Sequence, residues 1–208
     1  MSENVEFLDT SSWNFPKIKW LGIHMTGHAG FIAGGCFKQI FSGQRVKDID
    51  VFFSSEKDFS EACIYFKGNV DYAPYYTNKK VEAFKHTGSG VVVELIRSTF
   101  GSPQDVIGNF DFTITKFAYY KHIEEDDNGE ETLTYRCLYH PLYFEHLMLK
   151  RLVVDDKIPF PASTFERLFR YGKYGYFPCR ETKATVVKAL RDMPSEPDLS
   201  ASMYDGLD

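Results

Sequence analysis

The chain has no long apolar run, no Cys-x-x-Cys pair and no surplus of positive charge, and each absence removes a class of function. No stretch approaches the roughly 20 apolar residues that a helix needs to span a bilayer, and Met1-Ser2-Glu3-Asn4-Val5-Glu6 lacks the basic start of a secretory leader. The four cysteines (Cys36, Cys63, Cys137, Cys179) lie far apart in 208 residues. That spacing fits reduced thiols in a cytoplasmic protein and argues against a disulfide frame or a zinc site. With 24 Lys and Arg against 29 Asp and Glu, the formal charge is -5. There is no global field to gather nucleic acid, so any such partner needs a local patch. Internal repeats are absent, and no Ser-His-Asp or Cys-His set is readable. His24 and His28 flank a glycine-rich turn and read as structural. What the chain has in quantity is aromatic side chains, 19 Phe and 13 Tyr, enough for a ring-rich core in one large domain or two small ones.

The most informative stretch runs from Gly34 to Asp50. Phe31-Ile32-Ala33 reads as a short buried strand entering the Gly34-Gly35 turn. Cys36 to Phe41 reads as a short helix stopped by Gly43. Asp48 to Phe53 has strand composition. On a strand, residues i and i+2 share a face, so Asp48 and Asp50 project together and can hold one or two divalent cations. Beside a glycine turn that lets backbone approach phosphate, such a pair suits metal-assisted phosphoryl or nucleotidyl transfer. The duller reading is two solvated carboxylates at a strand end beside an ordinary tight turn.

Downstream, Ser54 to Asp58 opens a helix whose apolar face is Phe59, Ala62, Cys63 and Phe66. Val81–Lys85 and Gly90–Ile96 read as strands, and Thr99 to Pro103 as a loop. Phe110–Ala118 reads as strand turning into helix. Asp126-Asp127-Asn128-Gly129 reads as the turn of a hairpin with arms near 119–124 and 132–138. Leu142–Leu152 and Ser163–Lys173 read as helices, the latter capped by Ser163. Residues 1–15 read as a lead-in. The expected class is α+β, a small mixed sheet flanked by helices. Its head spans residues 1–140, a helical neck-like annex 141–191, and an acidic, Pro- and Ser-containing tail 192–208 is expected to be disordered.

In that order, the segments resemble the nucleotidyltransferase fold of the polymerase-β superfamily. They are most similar to the head and neck of class II CCA-adding enzymes and bacterial poly(A) polymerases. Those heads carry a glycine pair, a helix with an Arg-Asp step, a further glycine and Lys-Asp-x-Asp. Here Gly34, Gly35, Gly43, Lys47, Asp48 and Asp50 hold the same spacing, with Lys38-Gln39 in place of Arg-Asp. Glu94-Leu95-Ile96-Arg97 is a shortened version of the family's Glu-Val-x-x-x-Arg strand. Asn109-Phe110-Asp111-Phe112-Thr113-Ile114-Thr115-Lys116-Phe117-Ala118-Tyr119 parallels Arg-Arg-Asp-Phe-Thr-Ile-Asn-Ala-Leu-Ala-Tyr. Arg167-Leu168-Phe169-Arg170-Tyr171 with Gly175-Tyr176 matches the neck's Arg-x-x-Arg-Phe and Gly-aromatic pair. The two arginines before the third-motif aspartate are missing, and no Glu-Asp-x-x-Arg segment is present, so the resemblance points to a compact phage-type relative rather than to ordinary CCA addition.

The resemblance implies a magnesium-dependent enzyme, with Mn²⁺ as substitute, moving NMP from an NTP to an acceptor hydroxyl. An RNA 3′ end such as that of tRNA is the favoured acceptor; a protein side chain or a small molecule remain open. Asp48 and Asp50 would hold metal, and Glu94 or Asp111 would supply the third carboxylate, with Asp111 preferred as site-lining. Gly34, Gly35, Lys38, Lys47, Arg97, Lys116, Arg167 and Arg170 would line the nucleotide, Arg170 nearest. The alternative is a degenerate nucleotide- or protein-binding module of the same fold.

Overall fold

A computed structural model describes residues 5–125, 128–154 and 158–193. Its central element is an eight-stranded mixed sheet in the order β1-β8-β7-β2-β3-β6-β5-β4. The strands are β1 (Leu8–Ser11), β2 (Phe31–Ala33), β3 (Asp48–Phe53), β4 (Tyr72–Thr77), β5 (Val81–His86), β6 (Val92–Phe100), β7 (Phe117–Glu125) and β8 (Glu131–Tyr139). β3 and β6 run parallel; every other neighbour pair is antiparallel. The helix that a parallel pair requires is α2 (Glu56–Gly68), capped by the Ser55 hydroxyl. It lays Phe59, Ala62, Cys63 and Phe66 on the sheet, as its spacing predicts.

Alternation along β3 decides which side becomes a site. Ile49, Val51 and Phe53 are fully buried, and Phe53 meets Phe59 of α2 edge-on. Asp48 and Asp50 take the opposite face, both partly exposed. In the parallel register Asp50 lies beside Glu94, and Val51 beside Leu95. The next recorded partner of Phe53 is Phe100. While β3 advances two residues, β6 advances five, and the surplus bulges out between them.

Helices α1 (Cys36–Phe41), α3 (Pro103–Gly108), α4 (Tyr143–Met148), α5 (Pro161–Lys173) and α6 (Arg180–Arg191) complete the chain, with a small parallel pair β9 (Arg151–Leu152) and β10 (Phe177–Pro178). One core cluster reaches from Ile18 to Tyr176, so side-chain packing crosses residue 140, where the expected head ends. Within it Phe117 contacts Phe37, Phe41, Tyr139, Tyr143 and Phe144.

Several expectations are corrected. Residues 1–15 are structured from β1 onward, and a 3₁₀ segment, Pro16–Met25, buries Ile18, Leu21 and Met25. β4 went unread because Pro74 breaks a strand pattern; it is tolerated on the edge strand, where one side needs no ladder bond. Thr99 and Phe100 belong to β6 and not to a loop, and Ser102 caps α3. Residues 110–118 run through a 3₁₀ turn (Thr113–Thr115) into β7, the reverse of strand into helix. The helix expected to Leu152 ends at Met148, and Arg151–Leu152 is β9. α5 starts at Pro161, whose fixed φ suits a first helical turn, so Ser163 is inside the helix and not its cap. The hairpin arms are β7 and β8; Asp126 and Asp127 of its turn, and residues 194–208 of the expected tail, lie outside the described residues.

Candidate active site

One pocket gathers the residues that the sequence singles out from opposite ends of the chain. Its walls include Gly34, Gly35, Asp50, Phe52, Thr99, Asn109, Phe110, Asp111, Thr164, Arg167, Arg170 and Tyr171. The first wall is set by strand register. Gly34 has φ +100, a conformation that excludes other residues at low cost. A Cβ there would stand 3.5 Å from Asp50 Oδ2, so the bend without one leaves room beside the acid. The Gly34 N–H is spent within the sheet, donating to the Phe117 carbonyl at 3.0 Å.

Glu94 stands beside Asp50 on the neighbouring strand and accepts a hydrogen bond from the Tyr76 hydroxyl. Burial, that bond and the charges of Asp50 and Asp48 together push the Tyr76 phenol well above its ordinary range. Tyr76 therefore feels all three carboxylates. Sequence reasoning missed it because β4 itself was missed.

The second wall is tied together by side chains. Asp111 is buried, and its Oδ2 accepts from Thr164 Oγ1 and Arg167 Nη1, each at 3.0 Å; its Oδ1 accepts from the Phe112 N–H. Asp111 thus borders the pocket with both oxygens engaged, while Glu94 flanks Asp50.

The other expected nucleotide contacts are not brought to this pocket. Arg97 lies on the α2 side of the sheet, donating to Thr77 Oγ1 at 2.9 Å and stacking over Phe59. There it fastens the β4–β5 turn. Lys116 is buried, its ammonium 3.3 Å from the Gly108 carbonyl. Lys47 is exposed before β3. Lys38 is buried, with its ammonium 4.9 to 5.5 Å from the ring centres of Tyr171, Tyr174 and Tyr176. Burial and neighbouring Lys150 lower its pKa, and Asp48 partly opposes them. Lys38 thereby clasps the C-terminal segment to α1.

Cys36 is buried beside Asp50 and Asp48, and burial with those charges raises its thiol pKa well above normal, which suits a filler and not a nucleophile. Among the described residues, no three His, Cys, Asp or Glu side chains already form a metal-binding group. A Mg²⁺ held by one or two carboxylates and substrate phosphates asks for less, and Asp48 and Asp50, partly exposed on one strand face, are the residues that would hold it. No helix among the described residues is long and apolar enough to cross a membrane.

The comparisons give a family and a fold. The family described as "Gabija anti-defense 2 family protein" matches residues 6–150. The chain belongs to that family. A curated relative, "Gabija anti-defense 2" of Bacillus phage SPbetaL7, is 25% identical over 163 residues, covering 78% of this chain and 37% of the relative. The chain thus spans little more than a third of that relative. Among solved structures, a CCA-adding enzyme in complex with ATP superposes with a TM-score of 0.59 at 13% identity, over 88% of this chain and 46% of that one. The Thermotoga maritima CCA-adding enzyme complexed with tRNA gives a TM-score of 0.53 at 15% identity, over 88% and 46%. The chain shares its fold with those CCA-adding enzymes and belongs to a family described by anti-defence.

Proposed function

We propose that this anti-defence chain is a magnesium-dependent nucleotidyltransferase that disables a component of host defence by attaching NMP to it. The supporting observation is that the Gly34 bend leaves room beside Asp50, which neighbours Glu94 in register and lines one pocket with the arginines of α5. Asp48 and Asp50 would hold the metal, which would supply charge neutralisation at the phosphates and lower the pKa of the attacking hydroxyl. Glu94, kept in place by Tyr76, is the better candidate for the third carboxylate, because Asp111 is engaged with Thr164 and Arg167. Arg170 and Arg167 would face the nucleotide, and Phe110 and Tyr171 would exclude water around it. The acceptor is a hydroxyl of RNA, such as a tRNA 3′ end, of a protein, or of a small molecule.

A second reading is a binding module that blocks defence without chemistry. It is favoured by Asn109 and Phe110 replacing two arginines of the family motif, and by the anti-defence family itself. Incubation with Mg²⁺ and each α-labelled NTP, with host lysate or total tRNA as acceptor, separates the two. Label transfer that disappears in Asp48→Ala/Asp50→Ala supports the enzyme. An unlabelled acceptor pool, with anti-defence activity retained by that double variant, refutes it.

A further inference from the structure

The far end of the sheet carries a feature that the nucleotide pocket does not use. β8 pairs with β7 along its whole length, from Glu131 to Tyr139. On its other side β1 covers only Arg136 to Tyr139. Among the described residues, no strand pairs the outer edge of Glu131–Tyr135. Five residues without a strand partner, of which Glu131–Leu133 are exposed, are a template for an added strand.

The side chains along this edge are unusual for a solvated hairpin. Ile123 and Leu133 face each other in register and are 60% and 55% exposed. One step outward on the same face, Glu125 lies directly opposite Glu131. Like charges in that relation destabilise a ladder. None of Glu124, Glu125 and Glu131 has an ion-pair partner among the described residues. Beside the edge runs a groove between Trp13, Lys19 and Gly22 on one bank and Glu124, Leu133 and Tyr135 on the other. Trp13 is 78% exposed. One cation is already drawn to its ring: Lys19 Nζ stands 3.3 Å from the centroid.

We propose that the outer edge of β8 docks an extended basic segment of a partner protein by strand addition. The added strand pairs its backbone with Glu131–Tyr135. Its same-face side chains place an apolar group against Leu133 and a Lys or Arg two residues on, beside Glu131, with Glu125 one strand further in. The complement is set by charge: an acidic partner adds to the Glu125–Glu131 repulsion, and a basic one removes it. This holds whether or not the pocket transfers nucleotides.

The probe is the peptide acetyl-Thr-Val-Thr-Val-Thr-Lys-Lys-amide, titrated against the full chain by fluorescence polarisation and amide exchange. Two controls accompany it: the same peptide with Glu for Lys, and one N-methylated at alternate residues. The expected result is saturable binding to the basic peptide with new protection confined to 131–135. Glu125→Lys/Glu131→Lys weakens it at least about tenfold, and so does Leu133→Ser; the N-methylated peptide does not bind. Asp48→Ala/Asp50→Ala binds as the unaltered chain does. Absence of binding at millimolar peptide overturns the proposal. So does equal binding of the N-methylated or Glu-containing peptide, or sedimentation showing that a second copy of the chain occupies the edge.

Discussion

The two walls of the pocket are built by different physics. The wall of Gly34, Asp50 and Glu94 is made of backbone: strand pitch, parallel register and one positive φ fix it. The wall of Asp111, Thr164 and Arg167 is made of side chains from segments more than fifty residues apart, joined by hydrogen bonds. The first should tolerate change at its neighbours and fail only at its own atoms. The second should fail as a unit.

The largest expected effect lies on the backbone wall. Asp48→Ala/Asp50→Ala should lower NMP transfer by at least about 10³-fold, the scale of losing the group that neutralises phosphate charge. Thermal unfolding should be almost unchanged, since both side chains are partly exposed. Loss of fold in that variant would break the contrast between the walls.

Next comes Arg167→Ala, which leaves the buried Asp111 carboxylate without its ion-pair partner. Breaking such a pair costs about 3–5 kcal/mol when fully buried, and Arg167 is about a quarter exposed, so ~2–3 kcal/mol is expected by denaturant titration. Asp111→Asn in the same background should recover part of that loss if the unpaired charge is its cause.

Gly34→Ala is expected to cost about 1–2 kcal/mol from its φ alone. Because the new methyl group would fill the space beside Asp50, 3.5 Å from Oδ2, metal affinity should fall more than stability does; equal losses would make the bend a scaffold only.

Smallest at neutral pH, but growing on acidification, is the contribution of two histidines remote from both walls. Burial lowers His24 and His28 to about 4, with His86 nearby adding to the effect at His24 and Lys121 at His28. In the unfolded chain their value is 6.5, so below that pH the unfolded state takes up protons that the folded state refuses. The stability they contribute is present above pH 6.5 and is lost as pH falls towards 4, on the order of 3 kcal/mol each. His24→Gln should flatten that acid limb of a stability-versus-pH curve while leaving NMP transfer at neutral pH unchanged.

How much was legible in the sequence follows the same division. Period-two alternation in β3 and the β-branched run before Glu94 announce strands, and the glycines announce the bend, so the backbone wall could be read before any coordinates. Register could not: that Glu94 stands beside Asp50 depends on which strands neighbour which, and local pattern carries no such information. Asp111 does line the pocket, as expected, but nothing within a few residues of it reveals that Thr164 and Arg167 engage its carboxylate. Arg97 illustrates another limit, because the family position implies a phosphate contact whereas strand parity turns the side chain to α2. Lys38 likewise could not be foreseen among three tyrosines more than 130 residues downstream.

The slack between Leu95 and Phe100 lies beyond the Asp50–Glu94 rung, and it carries Thr99 to the pocket. Lengthening or shortening that overhang would reshape the cleft's far end while leaving the acidic pair where it is. Related chains can therefore change what they admit by gaining or losing residues at a single joint, with the chemistry upstream held constant.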